Sequence, residues 1–165
     1  MKTKSLNMLI VAFVLLGLMA VMIITFIEDT HDNFEKNITV DADGVTEEVL
    51  AVRELMLNPT ESKEYSVNLV CAASGAYRIF LDYEEKSDGG MKPFVDVIVK
   101  SNDKVVYSGN LVELIDGKKT VEFDGELFAE DPLVVTVCYT MPGSVGNEAQ
   151  GTFTDFDVRL KIEKI

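Results

Sequence analysis

The chain has no tryptophan, one histidine (His31) and two cysteines (Cys71 and Cys138), and each scarcity excludes a class of function. One histidine cannot build a three-histidine metal centre. His31 also stands four residues past a long apolar run, in a polar stretch that would have to fold back to serve a Ser-His-Asp or Cys-His system. H-E-x-x-H, G-x-S-x-G, G-x-x-x-x-G-K-[ST] and paired C-x-x-C patterns are missing too. The expectation is a protein without catalytic residues and without a bound cofactor. Basic residues are also few, 15 against 28 acidic ones, for a net charge of −13. Such a surface repels nucleic acid and anionic headgroups, which ask for clustered Lys and Arg.

What the chain has in plenty, at its start, is apolar length. Residues 5–27, SLNMLIVAFVLLGLMAVMIITFI, carry no charge over 23 positions. As a helix this run would be about 34 Å long, enough to cross a bilayer's hydrocarbon core. Lys2 and Lys4 precede it, and Glu28, Asp29, Asp32 and Glu35 follow, so the positive-inside bias places the rest outside the cell. A cleaved signal peptide would have a shorter apolar region and a small-x-small site. Cutting after Ala20 would leave V-M-I-I-T-F-I on the mature end. The expectation is therefore a signal-anchor with one transmembrane helix, the alternative being a cleaved signal and a secreted product. A type IV pilin would want a Gly just before the helix, where Lys4 and Ser5 stand.

Residues 28–40 read as a tether and residues 41–165 as a single domain of ordinary size. Everything after residue 27 holds all 28 acidic residues and 13 of the 15 basic ones, a formal charge of −15. Within it, short alternating runs separated by turn formers recur. Tyr65, Val67, Leu69 and Cys71 make one inward row, and Tyr77, Ile79, Leu81 and Tyr83 the next. Residues 94–99 and 105–107 are joined by a polar hairpin loop. Residues 111–115 and 120–123 read as strands, with turns at Asp116-Gly117 and Asp124-Gly125. An apolar run at 133–139 and a last strand through Phe156, Val158, Leu160 and Ile162 close the chain. Residues 46–57 fit a short amphipathic helix or a strand with Leu50, Val52, Leu55 and Leu57 inward after a bulge. The strand is preferred because Pro59 ends it and β runs follow. Seven to nine short strands point to an all-β antiparallel sandwich, jelly-roll-like, with an immunoglobulin-like sandwich the alternative that the missing tryptophan disfavours.

Candidate sites are few. Cys71 and Cys138 are an even count in an exported domain, so one disulfide is allowed, with two buried free thiols the alternative. Ser101 and Lys104 match S-x-x-K, but that chemistry needs the pair one turn apart on a helix, and here they bound a hairpin loop. Asp41 and Asp43 beside Gly44 offer carboxylates that Ca²⁺ would accept. The loop's fifth position is Val45, so an acidic turn is the simpler reading. Asn37-Ile-Thr39 is a glycosylation sequon with meaning only in a eukaryotic secretory host.

Residues 139–164 read YTMPGSVGNEAQGTFTDFDVRLKIEK, with Met141-Pro142, then N-E-A-Q-G at 147–151, then an alternating strand. This resembles the C-terminal strand region of the TasA and camelysin family of bacterial cell-surface and biofilm-matrix proteins. Leu57-Asn-Pro59 followed by a strand is similar to that family's L-x-P-G segment, with Thr60 in place of the Gly. The order of parts agrees: apolar start, short acidic tether, all-β domain. The resemblance implies a jelly-roll subunit, exported from a Gram-positive bacterium, that polymerises by lending its N-terminal segment to a neighbour's sheet. The donor here would lie in residues 31–40, with Phe34, Ile38 and Val40 inserted, unless the segment pairs within its own domain. A metallopeptidase activity described for camelysin is not carried over, since the histidines it needs are missing. The rival reading is a monomeric, membrane-anchored sandwich that binds a glycan, peptide or envelope component.

Overall fold

The computed structural model describes residues 34–41 and 45–165. The apolar segment at 5–27, with the choice between anchor and signal, lies outside the described residues, as do His31 and Asp43. Among the described residues no helix is long and apolar enough to cross a membrane.

Nine strands are described: β1 Phe34–Val40, β2 Val45–Leu55, β3 Ser62–Cys71, β4 Gly75–Asp88, β5 Asp96–Ser101, β6 Lys104–Asn110, β7 Val121–Leu127, β8 Leu133–Thr140 and β9 Thr154–Lys164. They form two sheets, one ordered β1-β3-β8-β5-β6 and the other β2-β9-β4-β7. Every link except the β5–β6 hairpin crosses from one sheet to the other. The result is a β-sandwich whose core is built from one face of each strand.

The alternating rows read from the sequence are the buried rows. Tyr65, Val67 and Leu69 on β3 lie opposite Val137, Val135 and Leu133 on β8 within one sheet, and Cys71 is buried at the end of the same row. Opposite them Tyr77, Ile79 and Leu81 on β4 and Phe156, Val158, Leu160 and Ile162 on β9 are buried. Tyr139 and Phe156 cross the gap between the sheets with ring centroids 5.3 Å apart, edge to face. β2 is a strand, as expected. Leu50, Val52, Leu55 and Leu57 are all buried, and a register shift between Val52 and Leu55 with Glu54 at φ 48° keeps Leu55 inward.

Four features add to the sequence reading or depart from it. Within the segment read as a tether and possible donor strand, Phe34–Val40 pairs along its whole length with β3 of its own chain. β1 pairs with β3 in parallel, while all other pairs are antiparallel. Residues Leu111–Ile115 form a short helix, α1, rather than a strand. Apolar residues at 111, 114 and 115 suit either period, and the cap decides: the Asn110 side chain accepts from the Val112 N–H at 3.0 Å. At the other end a Cβ on Gly117 would sit 2.4 Å from the Glu113 carbonyl oxygen, so the closing turn needs glycine there. Finally, β7 runs straight through Asp124-Gly125. Asp124 lies opposite Arg78 and pairs with it at 2.9 Å, so the would-be turn is held in the ladder by charge.

Candidate functional site

The candidate site is the edge of the five-stranded sheet, where β1 lies against β3. Its register runs from Phe34 opposite Tyr65 to Val40 opposite Cys71. Of the inward row, Ile38 and Val40 are 3% and 1% exposed, seated beside Leu69 and Cys71. Burial on this scale is worth about 1.5–3 kcal/mol for each side chain. Lys36 shares their phase and its Nζ reaches Glu48 of β2 at 2.8 Å, linking the edges of the two sheets. Both partners are more than a third exposed, so the pair adds no more than about 1 kcal/mol. On the outer face the Asn68 amide donates to Glu35 at 2.7 Å and to Asn37 at 2.9 Å. Beyond β1, the Asp41 N–H donates to Thr46 Oγ1 at 3.0 Å. β1 is thus a short edge strand, held by two buried side chains, a few polar clasps and a ladder of backbone bonds to one neighbour.

Of the expected donor residues, the structure brings Ile38 and Val40 into the core. Phe34 is placed in the strand by its register with Tyr65. Sequence reading passed over Lys36 and Glu48, because a charge interrupts each apolar row. The period of two was the available signal: Lys36 is in phase with Ile38, and Glu48 with Leu50.

The two cysteines do not meet. Both are free and buried. Cys71 faces the core, whereas Cys138 is on the other face of the sheet and opposite Glu64. Seven positions of β3 separate Glu64 from Cys71, or about 23 Å of strand, against the roughly 4.4–6.8 Å between Cα atoms that a disulfide spans. The disulfide expectation is corrected accordingly. Cys138 keeps company with Thr140 Oγ1 at 3.5 Å. Asp41 of the proposed calcium turn is exposed. Ser101 and Lys104 are cross-strand partners flanking a two-residue turn in which Asn102 and Asp103 have φ of 44° and 65°. Asn102 is tied to Val134 through both its N–H and its side chain, so this turn is part of the frame.

A second cluster was not foreseen. Lys92 follows the fourth strand in a single 3-10 turn, Lys92–Phe94, and its side chain is 8% exposed. Its Nζ bonds Asp116 at 2.7 Å and Glu85, with Asp88 at 3.6 Å. Burial works against the charge, but the bonds to Asp116 and Glu85 outweigh it and hold the ammonium above its ordinary pKa. Over this cluster lies an open groove of about 450 Å³, with Tyr83, Leu114 and Ile115 in its floor and Lys118 and Lys119 at its rim. Lys92 is fully engaged by carboxylates, so the cluster supplies a fixed internal cation and no free base.

No protein-family model matches the chain, and no curated protein matches its sequence. Among solved structures it is similar to PliG of Aeromonas hydrophila, a periplasmic inhibitor of g-type lysozyme. That match is 13% identical over 78% of this chain and 99% of the other, with a TM-score of 0.36. The CUB1-EGF-CUB2 domains of rat MASP-1 are 14% identical, with 78% of this chain and 42% of that one covered and a TM-score of 0.38. The pre-peptidase C-terminal domain of Bacillus anthracis collagenase is 7% identical, covering 78% and 98%, with a TM-score of 0.31. Likenesses at this level leave function to the chain's own geometry.

Proposed function

We propose that the protein is a non-enzymatic, exported surface or matrix subunit that self-associates by exchanging β1 between copies. One observation carries the reading: β1 is a parallel edge strand at the N-terminal end of the sandwich, adjoining β3 alone in its sheet. A parallel strand at an edge is joined to its sheet only by its ladder and the side chains it inserts. The groove that takes Ile38 and Val40 in cis can take the same residues from a neighbour, with the same hydrogen bonds. The strand order β2-β9-β4-β7 over β3-β8-β5-β6 supports a jelly roll with β1 added outside it. The resemblance at residues 139–164 points the same way, and an apolar segment at 5–27 would hold such a subunit at the cell membrane until release.

The rival reading, a sandwich face that binds a glycan, wants aromatic rings laid open. Here Phe80 lies under the Lys161 ammonium at 5.6 Å and Tyr107 under that of Lys119 at 4.9 Å, so both rings are covered by cations.

The test uses Asn37 and Asn68, which are register partners on the outer face. The full-length chain is made as Asn37→Cys and as Asn68→Cys, and the two are mixed under mild oxidation. Strand exchange should give a mixed disulfide between chains, while the double variant in dilute solution closes within one chain. Intrachain closure alone, at every concentration at which the chain is assembled, would sink the proposal.

A further inference from the structure

Four strands end the two sheets: β1 and β6 in one, β2 and β7 in the other. An open edge offers unpaired N–H and C=O groups to any strand of suitable sequence, and folded proteins blunt it with charge, shortness or a bulge. β6 has seven residues and begins at Lys104. β7 also has seven, with Glu122, Asp124 and Glu126 in one outward row that repels a second copy of itself. β2 is built differently. It has 11 residues, carries Val45 and Val49 outward at 50% and 51% exposure, and places its bulge only beyond Val52.

We infer that β2 is a self-pairing edge: two copies of this chain join β2 to β2, antiparallel, about a twofold axis at Leu50. The two four-stranded sheets then run into one. Complementarity selects the register. An axis at Leu50 sets Val49 opposite the partner's Ala51, covering the exposed valine twice, and sets Glu47 opposite the partner's Arg53. Glu47 faces Lys161 of β9 across its own sheet and attracts it without a close ion pair among the described residues, and the Arg53 side chain is still 50% exposed although it holds Asp157. Neighbouring axes do worse. At Glu47 or Glu48 the axis opposes that glutamate to its own copy. At Val49 it sets Val45 against the partner's Arg53, and at Ala51 it sets Val49 there. An axis between two residues would bring an outward row against an inward one and turn core side chains to water.

This interface is separate from the exchange of β1, which is read by cysteines at other positions, so either can fail alone. The test uses the full-length chain, in membranes or detergent, with Cys71 and Cys138 left in place because both are buried. Val49→Cys and Ala51→Cys are made singly, then oxidised alone and as an equal mixture with copper phenanthroline. Directly opposed residues lie within disulfide reach and diagonal ones beyond it, so the mixture should give roughly five-fold more dimer than either variant alone. Adding Glu47→Lys to both should cut that yield by a similar factor, since Lys would then face the partner's Arg53. Equal yields from mixture and single variants would mean chance collision, and no dimer in any of them would mean an unpaired edge; either overturns the inference.

Discussion

Thr60 is a β-branched residue held at φ 73°, a left-handed backbone that glycine adopts freely and threonine does not. The loop needs that geometry because the Thr60 N–H donates to the Met141 carbonyl at 2.9 Å, while the Met141 N–H donates to the Glu61 carbonyl at 3.0 Å. These bonds clasp the segment after β2 to the end of β8. Thr60→Gly should therefore stabilise the domain, by about 1 kcal/mol after the extra unfolded-state entropy of glycine is set against the relieved strain. Thermal unfolding would read this as an upward shift of about 3 °C; a downward shift would mean that the Thr60 side chain contributes more than its backbone costs.

At the scale of elements, Lys92 joins by charge three pieces of chain that also meet through the core at Met91, Leu111 and Leu114. Glu85 and Asp88 belong to the end of β4, Lys92 begins the 3-10 turn, and Asp116 closes α1. Replacing Lys92 by Met keeps the apolar stem but leaves three carboxylates converging without a cation. Only Lys92 is buried and the carboxylates left behind are 34–54% exposed, so solvent screening keeps the loss to about 1 kcal/mol. Chemical denaturation of Lys92→Met should show the loss as a lower midpoint with an unchanged slope. A midpoint within error of the parent would mean that the carboxylates simply turn to solvent. Nearby, the buried Tyr83 hydroxyl lies beside that of Tyr139. Burial pushes the Tyr83 phenol well above its ordinary pKa.

For the whole molecule, charge is spread over the outer face of the sheet β2-β9-β4-β7 as cross-strand pairs. Asp157 of β9 pairs with Arg53 of β2 at 2.6 Å and with Lys86 of β4 at 3.4 Å. The Arg53 hydrogen bond, then that of Lys86, holds its carboxyl below the usual range, and the Lys86 hydrogen bond does the same for Glu84. Groups whose pKa is lowered by folding add stability above their unfolded value, near 4, and lose it as pH falls through the folded value. The thermal midpoint should therefore drop as pH is taken from about 4 toward 2.5, and the drop should be shallower in Asp157→Asn. A parallel pH profile in that variant would place the acid sensitivity elsewhere among the 28 acidic residues.

Much of this was legible from the chain alone, because alternation reports burial directly. Tyr77, Ile79, Leu81 and Tyr83 repeat every second residue, and only a sheet with one face in a core makes that pattern. The bulged strand at β2 was visible for the same reason, as an apolar row that skips a step between Val52 and Leu55. What alternation cannot report is partnership. Nothing local says that β1 lies parallel to β3 while the other ladders are antiparallel, since both arrangements give β1 the same inward row. Nothing local separates strand from helix at Leu111–Ile115, where the Asn110 cap and the needs of Gly117 decide. Lys92 reads as a surface lysine until β4 and α1 bring Glu85, Asp88 and Asp116 around it. The two cysteines fit a bridge or two free thiols equally until the register sets them on opposite faces of one sheet. Face and period follow from each residue's own hydropathy; neighbour, direction and charge partner follow from which strands the whole chain brings side by side, and only the tertiary structure settles those.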